Sequence, residues 1–131
     1  MKKTGILNRD IAALVAMMGH YDRLVVSDAG FPIPKGVPCI DLTMGANTPT
    51  VLEVLKMIAL ELEVEQFYFA NEFLPSPADR ALEIQKIFPR AKSFPVPHTE
   101  FKKLALEARG IVRTGDFHAY GNVLLASGVA Y

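Results

Sequence analysis

The sequence predicts a three-layer α/β/α domain with a mostly parallel central sheet, and three observations support this fold class. Stretches with helical spacing alternate with short apolar stretches along all 131 residues. The stretch 23–27 has a continuous Leu-Val-Val centre, which is typical of a parallel strand that helices cover on both faces. A chain of this length forms one domain and buries about two thirds of its unfolded surface. We therefore expect residues 1–131 to form a single α/β domain.

The N-terminal third predicts a helix followed by two strands. Asn8 is a favourable N-cap, and Gly19 suits the left-handed position that follows a helix. The strand 23–27 comes next. The loop 30–38 contains three prolines and two glycines, so regular structure resumes only at a short strand, 39–42.

The middle of the chain predicts a broad apolar helix and an aromatic strand. Thr48 is the expected cap of that helix, with Pro49 at its first position and an end near Glu63. Residues 66–70 are rich in aromatic side chains and predict a strand.

The C-terminal half continues the alternation. Ser76 and Pro77 begin a third helix, in which we expect Leu82 to face the core. The prolines in 93–97 favour an edge strand. A short helix, 98–107, is then followed by strands at 111–113 and 122–126.

Composition excludes several classes of protein. The 14 Lys and Arg balance the 14 Asp and Glu, so nothing favours nucleic acid or an anionic membrane as a partner. The chain has no apolar run long enough for a membrane helix or a secretion signal, and we expect it in the cytoplasm. Cys39 is the only cysteine, which excludes an internal disulfide, and we expect it to be a small buried hydrophobe.

Cofactor motifs are also missing from the sequence. There is no glycine fingerprint for a dinucleotide or a nucleoside triphosphate. His20, His98 and His118 are far apart in sequence and lack the close spacing typical of zinc sites. We expect no cofactor and no metal.

The ends of the strand 23–27 carry the most suggestive pair of titratable residues. His20 precedes the strand and Asp28 follows it, so both lie in loops, and an imidazole with a carboxylate is the commonest acid/base pair near neutral pH. The strand separates them by roughly 16 Å. Each residue could equally belong to an ordinary turn or cap. If both serve one site, a fold-back of the chain or a second subunit must bring them together.

Other polar positions leave two interpretations open. The segment Tyr120-Gly121-Asn122 offers an aromatic surface and an amide, as sugar pockets do, but a simple turn would have the same composition. Lys102 on its short helix belongs most simply to a solvated face. The mean hydropathy of +0.22 is high for a small monomer and favours association between copies.

Six blocks of sequence, in order from end to end, match a known pattern. They are Lys2-Lys3-Thr4-Gly5-Ile6-Leu7-Asn8, Met18-Gly19-His20 with Asp22, Ser27-Asp28-Ala29-Gly30-Phe31-Pro32-Ile33-Pro34, Arg113-Thr114-Gly115-Asp116, Tyr120-Gly121-Asn122 and Gly128-Val129. Together they resemble the D-ribose pyranase family, which is related to the fucose mutarotases. Gly121 is shared with the fucose branch, since ribose pyranases often have Ala there, and Phe117-His118 departs from the usual residues.

The resemblance implies an isomerase that interconverts the β-pyranose and β-furanose forms of D-ribose without a cofactor and delivers the furanose form to a kinase. It also implies a decamer of two stacked pentamers with pockets between subunits. By matching position, His20 is the catalytic residue. The residues that the resemblance assigns to the sugar pocket are Asp28, His98, Lys102, Tyr120, Gly121 and Asn122.

The leading hypothesis is therefore a cytoplasmic D-ribose pyranase that opens and closes the sugar ring by general acid/base catalysis. The alternatives are an L-fucose-type mutarotase and a non-catalytic sugar-binding module of a ribose uptake system. His20 and Asp28 lie at opposite ends of one strand, and either a fold-back of the chain or a second subunit could join them in one site. The resemblance, with its pockets between subunits, favours the second subunit, so we expect the pocket to span two subunits and a monomer to be inactive.

Overall fold

The computed structural model describes residues 1–131 as one six-stranded sheet with four helices. The strands are β1 (Arg23–Ser27), β2 (Cys39–Asp41), β3 (Val64–Ala70), β4 (Lys92–Val96), β5 (Gly110–Arg113) and β6 (Val123–Ser127). The helices are α1 (Arg9–Met17), α2 (Val51–Ile58), α3 (Pro77–Ile87) and α4 (His98–Ala105). None of these helices is long and apolar enough to cross a lipid bilayer.

The strand order is β2-β5-β1-β6-β3-β4. Five strands run in one direction, and only β6 runs antiparallel to its two neighbours, β1 and β3. In the centre of the sheet Val26 lies opposite Val112 of β5 and opposite Val123 of β6. The predicted single α/β domain with a mostly parallel sheet is confirmed.

Two hydrophobic clusters, one on each face of the sheet, make the three layers. The larger cluster joins α1, α2 and α3 to one face, where Leu24 and Val26 of β1 point. The smaller cluster joins α4 to the other face through Val25 and the fully buried Phe101. Because successive side chains of a strand alternate between faces, β1 is buried on both sides, as its apolar centre predicts.

Helix α1 begins as predicted but ends earlier. The Asn8 side chain accepts hydrogen bonds from the N–H groups of Asp10 and Ile11, which confirms it as the N-cap. Met18 already has extended backbone angles, and Gly19 is not left-handed, so the expected C-terminal role of Gly19 is wrong. The N–H of Gly19 instead donates to the carboxylate of Asp22 at 2.9 Å, which closes a turn directly after the helix.

Helix α2 is shorter than predicted at both ends, and a different residue caps its start. The Thr50 hydroxyl accepts from the N–H of Glu53 at 3.3 Å, and the Glu53 carboxylate accepts from the N–H of Thr50 at 2.7 Å. This reciprocal capping box satisfies two free N–H groups at once, so the helix starts at Val51 rather than after Thr48. Pro49 therefore lies outside the helix, which ends at Ile58 and not near Glu63.

Helix α3 begins with Ser76 as its cap and Pro77 at its first position, as predicted. The expected inward position of Leu82 is wrong, because this side chain is exposed. The inward positions are Arg80 and Ile84, which lie one helical turn apart on the same face.

The edge strands of the sheet are β4, as predicted, and β2, where the exposure of Cys39 differs from the prediction. β4, with Pro95 in its interior, is an edge strand as predicted. β2 forms the other edge and is only three residues long, so it leaves Cys39 exposed rather than buried.

Candidate functional site

One end of the sheet carries a cleft of about 670 Å³. It lies where β1, β2, β4 and β5 end and where the antiparallel β6 begins, so four loops meet there, one of which joins β5 to β6. Ligands of open α/β sheets bind outside the carboxyl ends of the strands, and this volume is within the range of about 300–1,000 Å³ found for small-molecule sites. The polar and aromatic residues that line the cleft are Asp28, Phe31, Thr43, His98, Arg113, Asp116, Phe117, His118, Tyr120 and Asn122.

Asp28 and Asn122 form a buried reciprocal pair at the base of this cleft. The side-chain oxygen of Asn122, Oδ1, accepts a hydrogen bond from the backbone N–H of Asp28 at 2.9 Å. The side-chain NH2 group of Asn122 donates a hydrogen bond to Asp28 Oδ2 at 3.0 Å. Asp28 Oδ1 accepts from the N–H of Gly30 at 3.0 Å. Burial raises the pKa of Asp28, while these hydrogen bonds oppose the rise. The carboxylate is thus rigidly held, and its remaining lone pairs can accept hydrogen bonds from hydroxyl groups.

His98 belongs to an aromatic wall on the α4 side of the cleft. Its ring stacks at 6.4 Å on Phe101 and meets the edges of Phe31 at 6.2 Å and Tyr120 at 5.0 Å. Burial, and after it the positive charge of Lys102, lower the pKa of His98, so its neutral form is favoured. The buried Nδ1 atom of His98 has no hydrogen-bond partner in the chain.

Lys102 lies one helical turn after His98, so the two residues share a face of α4. Its side chain is exposed and does not line the cleft of a single chain. Its role in sugar binding therefore stays a prediction.

The segment 120–122 is fixed from behind by a buried arginine. Tyr120 has φ +62°, in the left-handed region, and the turn closes with a 3.0 Å bond from the N–H of Gly121 to the carbonyl of His118. The guanidinium of Arg80, with a side chain only 4% exposed, donates to the carbonyl of Gly121 at 2.8 Å. Gly121 thus lies behind the cleft wall and presents Tyr120 and Asn122, rather than contacting the cleft itself.

His20 lies at the other end of the sheet, before β1. Its Nε2 is 2.9 Å from the carboxylate of Glu65 at the start of β3, and its ring stacks on Tyr21 at 3.9 Å. Tyr21 also donates to Glu65 and has φ +63°. The hydrogen bonds from His20 and Tyr21 lower the pKa of Glu65. Within one chain the structure therefore separates His20 from Asp28, as the length of β1 requires.

Six polar or aromatic lining residues were not assigned to the site from the sequence: Phe31, Thr43, Arg113, Asp116, Phe117 and His118. Arg113 donates twice to the carbonyl of Ala29, at 3.0 and 2.7 Å, and so ties the loop after β1 to the end of β5. The sequence did carry a signal for two of them. Thr43 lies just after β2 and Arg113 ends β5, as Asp28 lies just after β1. The carboxyl ends of parallel strands meet at one edge of a sheet.

The chemistry of the cleft is that of a binding site for a small polar molecule. It combines a buried carboxylate, an amide, imidazoles and aromatic faces, which together can hydrogen-bond hydroxyl groups and pack against an apolar ring face. No group of three or more His, Cys, Asp or Glu residues is arranged to hold a metal ion. Fold and site together define a single-domain α/β protein with a small-molecule cleft at the carboxyl ends of its strands.

Comparison with known proteins identifies the family. Residues 1–130 match the model of the RbsD / FucU transport protein family, and the chain belongs to this family. It is 44% identical to D-ribose pyranase of Lactobacillus acidophilus and 41% identical to that of Kosmotoga olearia, over the full length of both chains in each case. The structure of Bacillus subtilis RbsD complexed with D-ribose is similar over 100% of both chains, with a TM-score of 0.93 and 37% identity.

More distant members share the fold alone. The fucose mutarotase of Streptococcus pneumoniae, solved in complex with L-fucose, has a TM-score of 0.77 and 20% identity over 95% of each chain.

Proposed function

We propose that this protein is a D-ribose pyranase, a cofactor-free isomerase that interconverts the β-pyranose and β-furanose forms of D-ribose. The observation that carries the proposal is the match over the full length to proteins named D-ribose pyranase, two of which are 44% and 41% identical to this chain. The similarity to the D-ribose complex of Bacillus subtilis RbsD supports the choice of sugar. The cleft with its rigid Asp28 and Asn122 supplies hydrogen-bonding groups suited to a pentose.

The reaction needs two proton transfers. Opening the pyranose ring removes a proton from the anomeric hydroxyl and delivers one to the ring oxygen, and closure as a furanose reverses these transfers with a different hydroxyl. We assign one of these transfers to His20, whose imidazole is oriented by the carboxylate of Glu65. Asp28 and Lys102 would hold sugar hydroxyls, His98 and Asn122 would fix the orientation of the ring, and Tyr120 with Gly121 would shape the wall.

We propose that a second subunit supplies His20 to the cleft. His20 lies at one end of β1 and Asp28 at the other, so the pocket is complete only if a neighbour lays its His20 end over the cleft. The C-terminal tail, residues 128–131, starts at the same end as His20, because the carbonyl of Ser127 accepts from the N–H of Tyr21. Val129 and Tyr131 in this tail are exposed and available to a neighbour.

We propose a decamer of two stacked pentamers, as the resemblance implies, acting in the cytoplasm where a kinase uses the furanose product. Exposed apolar side chains such as Leu7, Met17 and Phe94 offer surface for this assembly. Light scattering on the purified protein and fractionation of the source cells test the two statements separately.

The activity is tested by saturation-transfer NMR of D-ribose, which follows exchange between the pyranose and furanose anomers. The wild type should accelerate this exchange, and His20→Gln should abolish most of the acceleration while the variant still binds ribose. Lys86→Gln, on the exposed side of α3, is a charge-to-amide control and should behave as wild type. Binding of ribose without accelerated exchange would instead establish a sugar-binding module. Faster exchange with L-fucose than with D-ribose would place the protein in the fucose branch.

The shared pocket is tested by deleting residues 128–131. The deletion should lower both the oligomeric mass and the exchange rate, because the tail lies at the end of the sheet that carries His20. A fully active monomer would contradict a pocket between subunits.

A further inference from the structure

The cleft contains a second imidazole–carboxylate pair that the mechanism above does not use. His118 Nδ1 lies 2.7 Å from Asp116 Oδ1, and both residues line the cleft. Asp116 is 2% exposed, whereas the side chain of His118 is 56% exposed to the cleft side and solvent. The pair therefore has the arrangement of a buried carboxylate that orients an accessible imidazole.

Asp116 is held rigidly by neighbours from two elements. Its Oδ2 accepts from the N–H of Val51 at the start of α2 at 2.9 Å, and its Oδ1 accepts from the N–H of His118 at 2.9 Å. Burial acts to raise the pKa of Asp116, but the hydrogen bonds from His118 and Val51 outweigh it, so the pKa lies below its usual value. The ionised carboxylate of Asp116 accepts a hydrogen bond from the Nδ1–H group of His118. This leaves Nε2 of His118, which makes no hydrogen bond within the chain, with its lone pair free.

We propose that His118 is a second acid/base group of the ring-opening reaction and works opposite the His20 imidazole of a neighbouring subunit. The inference rests on the proposed function. In ring opening, one imidazole takes the proton of the anomeric O1–H, and the electron pair of that bond forms the C1=O1 carbonyl. The C1–O5 bond breaks with its electron pair moving to O5, which receives a proton from the other imidazolium. For closure as a furanose, O4–H attacks C1 and gives its proton to the second group, which is now neutral. The electron pair of the C1=O1 double bond moves to O1, which receives the proton held by the first group, so both groups return to their starting states.

No other group of the cleft is equally suited to this second transfer. Asp28 already accepts hydrogen bonds on both oxygens, from Gly30 and Asn122, and so is a fixed acceptor for a hydroxyl. The ring of His98 has no carboxylate partner that would select its tautomer or stabilise its charged form. Only His118 combines access to the cleft with an orienting carboxylate.

The first test measures His118→Gln by NMR exchange. Since positioned acid/base groups contribute about 10²- to 10⁴-fold, kcat should fall at least about 100-fold. The Kd for D-ribose, measured by calorimetry, should change little, because glutamine keeps a polar side chain in the cleft. Lys86→Gln should leave both values at those of the wild type. Circular dichroism and light scattering establish that each variant is folded and assembled.

The second test separates proton transfer from a structural role. His118→Ala opens a space beside Asp116, and free imidazole should restore part of the exchange rate after the rate of imidazole alone is subtracted. A purely structural side chain would not be rescued in this way. If His118→Gln keeps the wild-type kcat, or if both variants lose activity only in proportion to lost assembly without rescue, the proposal is wrong. A wild-type protein that does not accelerate exchange would refute the proposed function itself.

Discussion

Asn122→Asp converts the amide that faces Asp28 into a second carboxyl group. The Asn122 amide nitrogen lies 3.0 Å from Asp28 Oδ2, and the two residues are 1% and 8% exposed. The substitution changes no volume. It replaces the hydrogen-bond donor by an oxygen, so two carboxyl groups share a buried site, and we expect them to share one proton.

The magnitude follows from comparing two costs. Two ionised carboxylates about 3 Å apart repel each other by about 5.5 kcal/mol at an effective dielectric constant of about 20. Keeping one carboxyl protonated at about pH 7, against an unfolded pKa of about 3.9, costs about 4 kcal/mol. Protonating one carboxyl group costs less free energy than keeping both ionised. The new O–H group can then donate a hydrogen bond to Asp28 in place of the lost amide.

The sign of the pH dependence follows from the raised pKa. Below the unfolded pKa both states are protonated and the variant loses little stability, whereas stability is lost as pH rises toward the raised folded pKa. The free energy of unfolding of the variant, relative to wild type, should therefore fall by about 1.4 kcal/mol per pH unit between about pH 4 and 7. Burial also raises the pKa of Asp28 in the wild type, so the wild type is measured at each pH and subtracted.

Urea denaturation at one protein concentration, repeated at several pH values, measures this difference. Asn122→Ala is the matched control. It loses both hydrogen bonds to Asp28 but adds no carboxyl group, so its loss of stability should not follow this slope. A stability difference between Asn122→Asp and wild type that stays constant with pH refutes the shared proton.

Three further substitutions test the packing that supports the cleft. Gly115→Ala would place a Cβ in steric clash with the carbonyl oxygens of Gly45 and Thr48, so the loop must move, and we expect a loss of about 1–3 kcal/mol or more in urea denaturation. Phe101→Ala removes a fully buried ring beneath α4 and should cost about 3–5 kcal/mol in the same assay. Arg80→Met leaves the carbonyl of Gly121 without its buried donor, which should cost about 1–3 kcal/mol, and calorimetry should show weaker binding of ribose because the segment 120–122 is less firmly held.

The fold was predictable where local sequence decides structure. The bounds of β1 and the caps at Asn8 and Ser76 follow from apolar pattern and side-chain chemistry, and the structure confirms them. The antiparallel direction of β6 was not predictable, because it depends on pairing with β1 and β3, which are distant in sequence. The outward position of Leu82 had a similar cause: Ser76 sets where α3 begins, and tertiary packing then turns Arg80 inward.

Most residues of the cleft could be predicted from the sequence, but only in combination with the order of the strands in the sheet. The family resemblance assigned Asp28, His98 and Asn122 to one pocket, and the structure places all three in the cleft because β1 and β4 end where β6 begins. The sequence did not indicate Asp116 and His118 as a pair, because Asp116 fits the cap of a strand and His118 lacks the spacing of a metal ligand. Their significance comes from the Val51 N–H, which a helix 65 residues earlier in the chain presents to Asp116.

The two ends of the sheet differ in how far function can be separated from stability. At the cleft, the polar groups are buried and bonded to one another, as Asp28 is to Asn122, so a substitution there changes folding and binding together. At the opposite end, His20 and Glu65 form an exposed pair, and exposed pairs contribute little to the stability of a fold. The pair is thus not needed to hold a single chain together. A loss of exchange in His20→Gln, with unchanged unfolding of the assembled protein, would therefore report on chemistry supplied across a subunit boundary.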